Sequence, residues 1–256
     1  MQFIDTHCHI QEAGYKLDPE AAIKNASLVG VDRLIVVGTT LEHSQSAVRF
    51  AQSHDKVWSS IGLHPHEAHH YVDNAQALRE FKLLAAQPKV VAIGECGLDY
   101  YYNHSPAEAQ KQLLHFQLAL AQEFNLPLIF HVRDAFDDFW PIFDQYKGVQ
   151  GVVHSFTADT AVLKQVVSRG LFVGLNGIMT FTKNAAQLAA ARAVPLDKLV
   201  LETDAPFLTP TPFRGTICEP KYVHVTAEFL SRLRGETLED IAAATTRNAA
   251  ELFKLK

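Results

Sequence analysis

Eight short runs of almost uninterrupted apolar residues, rich in Val, Ile and Leu, recur along this chain, and each leads into a stretch with helical periodicity. The runs are Phe3–Thr6, Arg33–Val37, Val57–Ile61, Val90–Ile93, Leu128–Phe130, Gly151–Val153, Leu171–Val173 and Leu199–Leu201. Helical patterns fall at Pro19–Leu28, Glu42–Gln52, Ala75–Ala86, Ala107–Glu123, Phe136–Gln145, Thr160–Ser168 and Asn184–Ala193, with two more at Tyr222–Arg234 and Leu238–Phe253. A strand that is apolar on both sides belongs to a parallel sheet covered on both faces. Eight strand–helix units predict an α/β fold of the (β/α)8 TIM-type barrel class. The 256 residues suit one such barrel, and no low-complexity tract or Ser/Gly-rich linker divides them, so a single domain over 1–256 is expected. A doubly wound open sheet is the competing architecture. It requires a glycine-rich phosphate loop after its first strand, where this chain has Asp5-Thr6-His7-Cys8-His9 instead.

The polar residues that interrupt the strand runs carry the functional information. His7 and His9 follow the first run, His64 the third, Glu95 the fourth, His131 and Arg133 the fifth, His154 the sixth, Asn176 the seventh and Asp204 the eighth. In a barrel these positions share the carboxyl face that carries active sites. His7 and His9, two apart on a strand, point to the same side and can grip one ion. A buried, hydrogen-bonded histidine pair is the alternative for that motif alone. Of the 13 histidines, His43, His54, His69, His70, His104 and His115 lie in helical or loop contexts and read as surface residues.

Glu95 directly follows an apolar strand, where a carboxylate needs a cation or strong partners to offset desolvation. Its two oxygens can bridge two ions, although a salt bridge to Arg133 or Lys221 would serve the same electrostatic need. Asp204 has the same logic at the last strand and can also accept a proton from an attacking water. Glu202 reads either as support for the metal ligands or as a structural ion pair. Arg133 offers a planar cation to a phosphate or carboxylate, and His64 an anion contact or proton donor. His66 reads first as a surface residue. The run Tyr100-Tyr101-Tyr102 is compatible with a stacking platform for a base, or with a packed loop. Cys8 and Cys96 fall between the proposed ligands and read as buried small side chains.

A formal charge of −5 gives no global sign of nucleic-acid binding, although bound dications add positive charge that this total omits. Three cysteines without framework spacing fit reduced thiols, and MQFIDTHCHI lacks the basic, apolar start of a secretory signal. No apolar run reaches the roughly 18 residues of a membrane span. A cytoplasmic protein with no membrane partner is the expectation; the sequence does not set its oligomeric state.

FIDTHCHI, GLHPH, AIGECGLDY, FHVRDAF, VVHSF, LETDAPFLTP and TRNAAELF, in this order from Phe3 to Phe253, resemble the TatD family of metal-dependent deoxyribonucleases. The resemblance implies a barrel of the amidohydrolase superfamily with one or two divalent ions. His7 and His9 would hold one ion, Glu95 would bridge, and His131 and His154 would hold the second. Asp204 would complete the site and activate water, with His64 and Arg133 near the substrate phosphate. The expected cofactors are two divalent ions, Mg2+, Mn2+ or Zn2+, and the expected substrate is DNA, cut from the 3′ end of single strands. An amide or ester hydrolase such as an aminoacyl deacylase is the alternative on the same site, and a binding module that has lost activity is a third reading. One stretch departs from the family pattern: Thr216-Ile217-Cys218 stand where a basic residue and an asparagine usually precede Glu-Pro-x-Tyr-Val.

Overall fold

A computed structural model describes residues 1–255. The strands are β1 (Phe3–Cys8), β2 (Val31–Val37), β3 (Val57–Ile61), β4 (Val90–Asp99), β5 (Leu128–Arg133), β6 (Gly151–Val153), β7 (Phe172–Leu175) and β8 (Leu199–Leu201). They form an eight-stranded sheet in the order of the chain, β1 to β8, the topology of the (β/α)8 TIM-type class. The helices are α1 (Pro19–Leu28), α2 (Leu41–Gln52), α3 (Ala68–Tyr71), α4 (Ala75–Leu84), α5 (Ala107–Phe124), α6 (Phe136–Phe143), α7 (Thr160–Ser168), α8 (Ala185–Ala193), α9 (Val223–Arg234) and α10 (Leu238–Leu252). Among the described residues no helix is long and apolar enough to cross a membrane.

The predicted elements match within a few residues, with one systematic difference. β1, β4 and β5 run further than their apolar cores, so His7, Glu95, His131 and Arg133 lie within strands rather than after them. Backbone pairing continues past the point where apolar side chains stop, because the ladder uses only main-chain groups. α3 is one short turn of helix that the sequence pattern does not mark.

The chain divides into two compact units, residues 1–36 with 155–256, and residues 37–154. In the first, β1 pairs in parallel with β2, β7 pairs with β8 from Val173↔Leu199 to Leu175↔Leu201, and Cys8 forms a parallel bridge with Ala205. Asp5 ties the carboxyl end of β1 to the segment after β8: its Oδ1 accepts the backbone N–H of His7 at 3.2 Å and of Thr203 at 2.9 Å. The Thr203 hydroxyl donates to Asp5 Oδ2 at 2.5 Å. Asp5 is fully buried, and burial pushes its carboxyl up to about 8.

In the second unit, β3, β4, β5 and β6 pair in parallel, with Cys96 opposite Phe130 and Asp99 opposite Arg133. Gly97, at φ +150°, sits so close to β5 that a Cβ there would overlap the His131 carbonyl oxygen. Only glycine allows the approach that brings the ends of these two strands together. On α5 the sequence pattern marks Leu113, Phe116, Leu120 and Phe124 as the inward face. Leu113 and Leu120 are buried, but Phe116 and Phe124 lie at its flank, and Gln110 and Gln117 occupy it instead. Both glutamines act as backbone clamps. Gln110 accepts from Asp99 N–H at 2.8 Å and donates to the Asp99 carbonyl at 3.1 Å. Gln117 makes the same pair of bonds, both 2.9 Å, with Leu63. A single helix therefore fixes the backbone beside His64 and at the end of β4.

Candidate metal centre

In the first unit three donor atoms converge. His7 Nε2 and His9 Nε2 lie 3.1 Å apart, and both face Asp204 Oδ1, at 3.6 and 3.4 Å. His7 and His9 are buried, and the Asp204 side chain is 17% exposed. Nitrogen and oxygen ligands about 2.0–2.2 Å from a common ion are separated by roughly 3.0–3.6 Å along a tetrahedral or octahedral edge. The three spacings match that edge, so the donor set fits a divalent cation. Behind it, His9 Nδ1 faces Glu12 Oε1 at 3.4 Å, which turns Nε2 toward the other donors. Burial alone would lower the His9 pKa, but Asp204 and Glu12 outweigh it and hold the ring up to about 10. Asp204 reaches the site through a left-handed backbone, φ 62°, anchored by its N–H to the His7 carbonyl at 2.8 Å. Such a conformation is costly for a residue with a Cβ and concentrates at functional positions.

In the second unit Glu95 gathers histidines. Its Oε1 lies 2.7 Å from His131 Nδ1, 3.1 Å from His154 Nε2 and 3.4 Å from His64 Nε2. Donor or acceptor atoms of His64, Glu95 and His131 lie within 4.8 Å of one another. Although burial opposes ionisation, the surrounding imidazoles keep Glu95 well below the usual carboxylate range. Within this unit Glu95 thus meets imidazoles rather than the Arg133 guanidinium.

Asp99 supports this cluster. Its Oδ2 lies 2.9 Å from both His131 Nε2 and His66 Nε2, while Oδ1 accepts the N–H groups of Tyr101 and Tyr102, each at 3.0 Å. His131 is therefore held from behind through Nε2 and presents Nδ1 to Glu95, the carboxylate–histidine arrangement that orients metal ligands. Burial works against the Asp99 charge, yet its histidine and backbone partners hold its carboxyl below the ordinary range. His66, expected at the surface, is thereby drawn into the site.

His64 has a fixed tautomer. Its Nδ1 accepts the His66 backbone N–H at 3.2 Å, so the ring proton sits on Nε2, facing Glu95. Burial keeps the ring neutral and lowers its pKa to about 4. Arg133 is half-buried, and its guanidinium has no hydrogen-bond or ion-pair partner among the described residues. It rests instead on two rings, 4.0 Å from the Tyr101 centroid and 4.8 Å from that of Tyr102.

Glu202 Oε1 accepts from the Ser155 backbone N–H at 2.6 Å and from Asn176 Nδ2 at 3.1 Å. Cys8, Cys96 and Cys218 are free and buried, as expected for the first two. In the divergent loop the Thr216 hydroxyl donates to the Phe213 carbonyl at 2.8 Å. Cys218 fills a fully buried position there. Sequence reasoning missed Asp5, Asp99 and the role of His66. Asp5 lies two residues before His7 and Asp99 four after Glu95, spacings that mark supporting carboxylates only once the ring orientations are known.

Two outcomes follow. Asp99→Asn keeps the shape but removes the charge behind His131, and should weaken Mn2+ or Zn2+ binding by about 10–100-fold in a calorimetric titration. His64 titrates lower when folded than the usual 6.5, so the unfolded chain takes up its proton first. Its stabilising contribution is complete above about pH 6.5 and is lost as pH falls toward 4. Urea unfolding of metal-free protein across that window should show a shallower acid loss for His64→Gln than for the wild type.

The TatD related DNase family model matches residues 4–254. The chain is 38% identical to the uncharacterized metal-dependent hydrolase YabD of Bacillus subtilis, over 98% of each chain. It is 34% identical to the 3′-5′ ssDNA/RNA exonuclease TatD of Citrobacter rodentium, covering 97% of each. Among solved structures it resembles YjjV, a TatD homologue from Escherichia coli K12, with a TM-score of 0.92, 30% identity and coverage of 99% of this chain and 98% of that one. The chain belongs to the TatD-related DNase family of metal-dependent hydrolases.

Proposed function

We propose that His7, His9, Glu95, His131, His154 and Asp204 serve one dinuclear centre that hydrolyses DNA phosphodiesters, acting from the 3′ end of single strands. The observation that carries the reading is the donor triangle of His7, His9 and Asp204, whose spacings suit a divalent ion. His7, Glu95 and His131 lie in the second halves of β1, β4 and β5, His9, His154 and Asp204 follow β1, β6 and β8, and the family model spans all six. Relatives named as single-strand exonucleases support the substrate and direction. The amide- or ester-hydrolase alternative finds no support in the relatives.

Divalent ions held there, Mg2+, Mn2+ or Zn2+, supply Lewis acidity toward the phosphate and lower the pKa of the attacking water. The Asp204 carboxylate accepts the proton of the attacking water through the oxygen not given to the cation, a task suited to its partly exposed position. Glu95 keeps its charge between the imidazoles and serves as the shared carboxylate. Arg133 binds a non-bridging phosphate oxygen through N–H groups that no carboxylate occupies, and His64 donates its Nε2–H to the same group. Buried free thiols at Cys8, Cys96 and Cys218 accord with a cytoplasmic protein, and one catalytic domain over 1–256 follows from the same reading.

Cleavage of a labelled single-stranded oligonucleotide with Mg2+ or Mn2+ tests this. Asp204→Asn and Glu95→Gln should each reduce kcat by at least about 100-fold, since each removes a charge made for the transition state. Metal-dependent cleavage that survives both substitutions would exclude the mechanism.

A further inference from the structure

Tyr101 and Tyr102 are among the exposed large hydrophobic side chains of the described residues, 60% and 52% accessible. Their neighbour Tyr100 is tied down, its hydroxyl donating to Asp138 Oδ2 at 2.8 Å. The loop therefore has an anchor and leaves the two following rings in water. Exposed aromatic surface on an anchored loop is open to a ligand.

Yet the two rings are held in place. The Asp99 carboxylate that orients His131 also accepts both of their backbone N–H groups. Tyr101 meets Tyr102 edge-on, with centroids 4.9 Å apart, and Tyr102 lies nearly parallel to His104, 12° between planes at 5.7 Å. The Arg133 guanidinium covers part of both rings. An arginine with open N–H groups, flanked by solvent-facing aromatic surface, offers a phosphate its charge and an adjoining base a flat apolar face.

We propose that Tyr101 and Tyr102 form a base-stacking subsite, which takes an unpaired nucleobase whose phosphate lies on Arg133. The proposal rests on the nuclease reading above and adds to it the part of the nucleotide that this loop holds. Stacking needs an unpaired base with a free π-face, so a single strand is bound and a duplex is not. It is tolerant of sequence, because every base has such a face.

The test compares two fluorescent strands of equal length, an oligothymidylate and an abasic strand with the same phosphates. Binding is measured by anisotropy in Ca2+, and cleavage is measured separately in Mn2+. Wild-type protein should bind the base-bearing strand about 10-fold or more tightly than the abasic one. The double variant Tyr101→Ala/Tyr102→Ala should abolish that preference, with little change on the abasic strand, and Tyr101→Phe/Tyr102→Phe should keep it. Equal wild-type affinity for the two strands would overturn the proposal. So would an equal loss on both strands in the alanine variant, which would mean that the rings only brace Arg133. Wild-type protein that binds with the base preference but cleaves neither strand would contradict the nuclease reading and still support the subsite.

Discussion

A carboxylate at the buried end of a strand must be compensated, and Glu95 is the residue around which the second unit is arranged. Its Oε1 meets His131, His154 and His64 within 3.4 Å, so three strands or their ends are bound to one oxygen. The fold supplies the rigidity this needs. Gly97 lets β4 and β5 approach, and the paired bonds of Gln110 and Gln117 lock the backbone at Asp99 and Leu63. Loss of either clamp would move Asp99 or the backbone beside His64 rather than merely loosen a helix.

The same design appears in both units: an imidazole points one nitrogen at the candidate donor cluster and the other at a carboxylate. His9 leans on Glu12 and His131 on Asp99. Each backing carboxylate fixes ring orientation and raises the basicity of the ligating nitrogen. Asp99 does more, because its second oxygen also sets the Tyr101–Tyr102 turn. Ligand orientation and the surface beside Arg133 thus depend on one side chain.

Much of this was legible in the sequence, for reasons specific to each element. Apolar strand runs and helical periodicity mark the eight strand–helix units because core burial leaves a periodic record. His7, His9, Glu95 and Asp204 stand out because polar residues at the ends of such runs have no structural excuse. The supporting residues leave no such record. Gln110 and Gln117 look like solvent-facing helix positions until their backbone partners are seen. Asp99 lies six residues beyond the apolar run Val90–Ile93 and His66 reads as a surface residue, because what they do depends on a ring nitrogen contributed from β5, far away in the sequence.

Anomalous diffraction from crystals soaked in Mn2+ tests the central claim most directly. A peak bounded by His7, His9 and Asp204 is predicted, and a second beside Glu95, His131 and His154. A peak held by other residues, or none at the His7–His9–Asp204 triangle, would contradict the account.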